Sequence, residues 1–257
     1  MVENIFDSHA HYDDESFDED RENLLRGIKD KGVSLIMNAA CNLKTSLAGE
    51  KLGKEYDFVY SAAGVHPEDA EEYDENVEKE IIRLITDCPK VKALGEIGLD
   101  YHFEDACCRE IQLKVFERQL QVAKEFDVPV IIHSREATED TMRLLKKYNP
   151  KGVVHCYSGS VETAKEILKL GMYIGFTGVL TFKNARRAVE SAKVIPMDRL
   201  LIETDCPYMA PVPFRGKRCD SSMLQSVVNK LAEIKNMNPQ EVADITNANA
   251  KKVFNIF

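Results

Sequence analysis

Eight short apolar runs, separated by longer amphipathic stretches, constrain the fold more than any other feature of this sequence. They are IFD (Ile5 to Asp7), VSLIMNA from Val33, FVYSAAG from Phe58, VKALGEIG from Val91, VPVIIHS from Val128, GVVHCYS from Gly152, MYIGFTG from Met172 and RLLIETD from Arg199. Several are continuous and rich in β-branched residues, the pattern of parallel strands buried on both faces. Between them the spacing is helical. Leu113, Phe116, Leu120 and Ala123 recur at three or four residues over Glu110 to Phe126, and Val77, Ile81, Leu84 and Ile85 do the same before them. Asn238-Pro239-Gln240-Glu241 reads as an N-cap, an N1 proline and an N3 glutamate that open a last helix. Alternating strands and helices imply an α/β fold with a parallel sheet. Eight units in 257 residues match the roughly 250 residues of one TIM-type barrel, so a single (β/α)8 domain over 1–257 is expected. No GxGxxG follows the first run, which argues against a dinucleotide fold.

The formal net charge of -9 removes a bulk basic surface for passive nucleic-acid binding. It leaves room for an enzyme that grips phosphates locally. No apolar run nears the ~20 residues of a membrane span, and the first residues lack the apolar core of a secretory signal. The seven cysteines show no CxxC pairing. Reduced thiols and a cytoplasmic, intracellular location are therefore expected, with the nucleus open in a eukaryote. No membrane and no obligate protein partner are expected.

The six histidines are His9, His11, His66, His102, His133 and His155, and each lies at or just after the C-terminal end of an expected strand. In a barrel that is the end where active sites are built. His9 and His11 are two apart, so on an extended segment they point the same way. Glu96 ends an apolar strand with Gly95 and Gly98 on either side, where a carboxylate needs a cation or donors. His133 closes VPVIIH, His155 closes GVVH, and Asp205 follows LLIET. Four imidazoles and two carboxylates exceed one tetrahedral zinc site. They suit two divalent ions bridged by a carboxylate, at the C-terminal ends of the strands. Mixed N/O ligation accepts Zn, Mn or Fe, whereas Mg prefers oxygen and water.

The strings DSHAH, GVHP, GEIGLDY, VIIHSREA, HCYSG, YIGFTGVLTFKNA and ETDCPY resemble the TatD-type deoxyribonucleases, metal-dependent hydrolases of the amidohydrolase-like barrel superfamily. They occur in the family's order and cover almost the whole chain. The resemblance implies that His9, His11 and Asp205 hold one ion, that His133 and His155 hold the other, and that Glu96 bridges. It further implies a 3′-5′ exonuclease that hydrolyses DNA phosphodiesters with metal-activated water, usually with Mg²⁺ or Mn²⁺. Its substrate would be DNA ends or single strands.

Asp205 and Glu96 are then the expected catalytic carboxylates, with Asp205 orienting the water or taking its proton. His66, Arg135, Ser158 and Gly159 are the expected substrate contacts. A guanidinium fork matches phosphate oxygens, and Ser158 and Gly159 would offer a hydroxyl and N–H groups at the next helix. Lys183 is a weaker candidate. His102 and the Cys107-Cys108 pair receive no role. Two rivals share the scaffold: a small-molecule amidohydrolase or esterase, including one acting on D-aminoacyl-tRNA, and a non-catalytic metal-stabilised binding protein.

Overall fold

Each of the eight apolar runs forms a strand. A computed structural model describes residues 1–102 and 107–257. The strands are β1 (Ile5–Ala10), β2 (Val33–Asn38), β3 (Val59–Ala63), β4 (Val91–Asp100), β5 (Val130–Arg135), β6 (Gly152–Val154), β7 (Tyr173–Phe176) and β8 (Leu200–Ile202). They form one sheet in the order β1 to β8. An isolated parallel bridge between Ala10 and Cys206 links the chain after β8 to the end of β1. This is the expected α/β class, eight parallel strands alternating with helices in a nearly closed barrel.

The helices are α1 (Arg21–Gly27), α2 (Leu43–Glu55), α3 (Glu75–Asp87), α4 (Arg109–Glu125), α5 (Thr138–Tyr148), α6 (Val161–Lys169), α7 (Arg186–Val194), α8 (Leu224–Lys235) and α9 (Pro239–Val253). The apolar stripe of α3 buries Ile81, Leu84 and Ile85. In α4, Phe116, Leu120 and Ala123 are buried as the spacing requires, while Leu113 is only half-buried. Two polar residues share that buried face, Gln112 and Gln119. The α9 cap forms with Pro239 in the first turn, but the Asn238 side chain accepts from Gln240 N rather than pairing with Glu241. The Gln240 side chain in turn pairs with the backbone of Glu3.

The chain divides into two compact units. The first holds residues 1–38, 156–169 and 173–257, and so carries β1, β2, β7 and β8. The second holds 39–155 and 170–172, and so carries β3 to β6. β1 is buried at every position, and β4 at all but Lys92. The seven cysteines are thiols, not disulfides. No helix among the described residues is long and apolar enough to cross a membrane.

Candidate metal centre

In the first unit the donors gather around β1. His9 and His11 stand two apart on the extended chain and so share a face, with their Nε2 atoms 3.0 Å apart. Asp205 Oδ1 lies 3.3 Å from His11 Nε2 and 3.6 Å from His9 Nε2. Backbone bonds fix this placement: Asp205 N donates to His9 O, and His11 N to Cys206 O, each at 2.9 Å. Asp205 takes a left-handed conformation, φ 61°, which Asp tolerates better than most side chains.

Beneath these donors, Asp7 accepts from Thr204 N (2.9 Å), Thr204 Oγ1 (2.6 Å) and Ser221 Oγ (2.6 Å). Burial raises its pKa to about 6, although those bonds favour the charged form. Glu203 is fully buried two residues before Asp205. It accepts from Cys156 N and from Ser8 Oγ (3.4 Å). Gly175 on β7 makes room for it, because a Cβ there would stand 2.3 Å from Glu203 Oε2.

In the second unit Glu96 is the hub. Its Oε1 lies 2.6 Å from His155 Nε2, 2.8 Å from His133 Nδ1 and 3.9 Å from His66 Nε2. His133 Nε2 lies 2.9 Å from Asp100 Oδ2, so one imidazole spans two carboxylates. Burial pulls the His133 pKa down, but Asp100 and Glu96 outweigh it and push it up to about 9. Burial likewise disfavours charge on Asp100, yet the bonds from His133 and His102 N hold it below the usual range. Gly98 is forced by packing: it pairs with His133, and a Cβ there would meet His133 O at 1.9 Å. Gln112 clamps the strand end, accepting from Asp100 N (2.9 Å) and donating to Asp100 O and Cys107 O (2.8 Å each). Gln119, two turns along α4, clamps Val65 in the same way, N–H and C=O both at 2.9 Å.

These donor sets fit a divalent cation. Two imidazole nitrogens 3.0 Å apart cannot both present lone pairs without a proton or a cation near both. Glu96 and His133 likewise set a carboxylate oxygen and an imidazole nitrogen 2.8 Å apart. Imidazole and carboxylate together are ordinary ligands for Zn, Mn or Fe.

The family model described as TatD related DNase matches residues 6–255. This chain belongs to the TatD family. It is 43% identical over 255 residues to the uncharacterised metal-dependent hydrolase YabD of Bacillus subtilis, covering 98% of this chain and 99% of that one. It is 36% identical over 251 residues to the 3′-5′ ssDNA/RNA exonuclease TatD of a Rahnella species, covering 93% of each. The crystal structure of the Escherichia coli TatD homologue YJJV matches with a TM-score of 0.94 and 30% identity, covering all of both chains. The protein is thus a TatD-family metal-dependent hydrolase with candidate metal-binding histidine and carboxylate clusters.

Within this TatD-family chain the expected residues fall into distinct places. His9, His11 and Asp205 meet in the first unit, and Glu96, His133 and His155 in the second. His66, expected as a phosphate contact, stands beside the Glu96 group, its ring 4.5 Å from that of His133. Its Nδ1 accepts from Glu68 N at 3.2 Å, so the neutral ring presents Nε2–H, a donor rather than a lone pair. Arg135 ends β5 and is exposed. Ser158 is exposed and Gly159 half-buried, but the helix opens only at Val161, two residues further on than their expected role requires. Tertiary bonds hold the extra residues in extended form: Ser191 Oγ donates to Gly159 O and Tyr157 OH to Ser160 O. His102 pairs with exposed Glu136 at 2.7 Å.

Asp7, Asp100, Glu203, Gln112 and Gln119 receive no part from sequence reasoning. Asp100 and Glu203 carry a usable signal, as carboxylates at the ends of buried strands. The two glutamines carry one as well, standing seven apart on the apolar face of α4.

Proposed function

We propose that this protein is a metal-dependent deoxyribonuclease that removes nucleotides from the 3′ end of single-stranded DNA. The observation that carries the reading is the paired imidazoles of His9 and His11 against Asp205, on the same strand ends that a hydrolytic barrel uses. In the proposal His9, His11 and Asp205 hold one divalent ion, His133 and His155 another, and Glu96 is shared. The single domain over 1–257 belongs to the same reading, and the family match running through both units supports it. A cytoplasmic location is part of the same proposal.

Bound divalent ions, Mg or Mn in the cell with Zn accommodated, would supply phosphoryl charge neutralisation and acidify water at neutral pH. The chain's own residues do the rest. Asp205, only slightly exposed, orients the attacking water and takes its proton. Asp100 holds the His133 ring so that Nδ1 faces Glu96. His66 Nε2–H and the Arg135 guanidinium donate to phosphate oxygens. Ser158 and Gly159 remain candidate contacts for the strand, through the hydroxyl and N–H groups of an extended segment rather than a helix start.

The test uses metal-free protein and single-stranded DNA labelled at its 5′ end. Mg²⁺, Mn²⁺ and Zn²⁺ are added separately, and Glu96→Ala is run alongside. A ladder shortening from the 3′ end, restored by metal and absent in Glu96→Ala, is the expected result. Metal-restored hydrolysis of a carboxylic ester without DNA cleavage would favour the esterase rival instead.

A further inference from the structure

We propose that the loops after β7 and β8 form a track that binds the body of a single-stranded nucleic acid, through base stacking on Tyr208 and phosphate contacts to nearby cations. This deepens the nuclease reading above and rests on it.

The loops are unusual in charge. Residues 181–187, which run into the first two residues of α7, and 207–219 hold Lys183, Arg186, Arg187, Arg215, Lys217 and Arg218 and no carboxylate, in a chain of net charge -9. Arg186 is paired with Glu190 and Arg218 with Asp20. Lys183, Arg187, Arg215 and Lys217 are exposed and make no ion pair among the described residues. Cations without carboxylate partners are an electrostatic footprint for an anion.

The same loops expose apolar surface. Tyr208 is 58% exposed, Val212 44% and Met209 38%, which sets them among the few large apolar side chains left in solvent. Stacking platforms for single strands combine such an aromatic face with a cationic groove. The platform is also held. Tyr208 N donates to Asp205 O at 2.9 Å, which sets the ring one turn from a proposed ligand. Its hydroxyl donates to Asp14 Oδ2 at 3.4 Å. Val212 N donates to Thr181 Oγ1 at 2.8 Å, and the Arg215 guanidinium lies 4.0 Å over the Phe182 ring, which ties the two loops together. A Cβ at Gly178 would strike Met209 O at 2.0 Å, which shows how closely they pack. Pro207, Pro211 and Pro213 stiffen the second loop.

The test measures binding of fluorescent single-stranded DNA by anisotropy in chelator, where no turnover occurs. It also measures the ratio of kcat/KM for a 20-nucleotide strand to that for a dinucleotide. Tyr208→Ala should weaken binding about tenfold and cut the ratio similarly, while Tyr208→Phe keeps both because the ring remains. Arg187→Ala with Lys217→Ala should lower the slope of log affinity against log salt by about 1.4, at ~0.7 for each phosphate no longer neutralised. Polyglutamate should compete poorly at equal charge. If wild type cuts the 20-nucleotide strand but the variants keep its ratio and salt slope, the track is wrong and the nuclease reading stands. Polyglutamate displacing DNA at equal charge would also overturn the track. If wild type neither binds nor cuts the strand, the nuclease reading falls and the track with it.

Discussion

The two donor groups of this protein are built differently. In the first unit His9, His11 and Asp205 are placed by backbone: β1 runs beside residues 205–206, and two N–H···O bonds set the side chains facing. The support below is Asp7, which accepts from Thr204, Ser221 and the backbone N–H of His9. In the second unit the support reaches a donor imidazole itself, because Asp100 binds the far nitrogen of His133. The strand that carries Asp100 is then clamped by a buried glutamine. One group is thus stiffened through the chain and the other through side chains. Supporting side chains should therefore matter to metal affinity in the second unit and to stability in the first.

The largest expected effect is that of Glu96→Ala. If Glu96 is a ligand as proposed, its loss should cost more than the ~10–100-fold typical of groups that merely support ligands. Steady-state hydrolysis of single-stranded DNA measures it, and a loss smaller than that of His11→Ala or His155→Ala would break the idea of sharing. Next comes Asp100→Asn, expected to weaken metal affinity about 10–100-fold as read by titration with Mn²⁺. Asp7→Asn sharpens the contrast: it should shift metal affinity far less. If both changes weaken metal binding equally, the distinction between the groups fails.

A third effect is on folding. Gln112→Leu leaves the backbone of Asp100 and the carbonyl of Cys107 buried without their partner. That should cost about 1–3 kcal/mol, seen as a lower midpoint in urea unfolding. The smallest effect is expected for His102→Ala. His102 and Glu136 are both exposed, and such pairs contribute at most about 1 kcal/mol. Activity near that of wild type is predicted, and a tenfold loss would give His102 a role that its position does not suggest.

Much of this architecture is legible from residues alone. The eight runs are the eight strands because an apolar, β-branched run buried on both faces has few other uses. The donors are legible because histidines at strand ends are few and conspicuous. The supporting groups are not. That Asp100 meets His133 depends on the register of β4 against β5, where Gly98 pairs with His133. Sequence carries no register across the segment, α4 included, that separates the two strands. Glu203 stands two residues before Asp205, yet its burial depends on a glycine in the neighbouring strand β7. The start of α6 is expected too early because Ser158 and Gly159 are good cap residues locally. Bonds from Tyr157 and Ser191 hold that segment extended up to Val161.

The central claim is that both donor groups take ions. Calorimetric titration of metal-free protein with Mn²⁺, for wild type, His11→Ala and His155→Ala, tests it most directly. The account predicts two ions per chain for wild type and loss of one, or a sharp weakening of one, in each variant. A wild-type stoichiometry of one, untouched by either substitution, would contradict it.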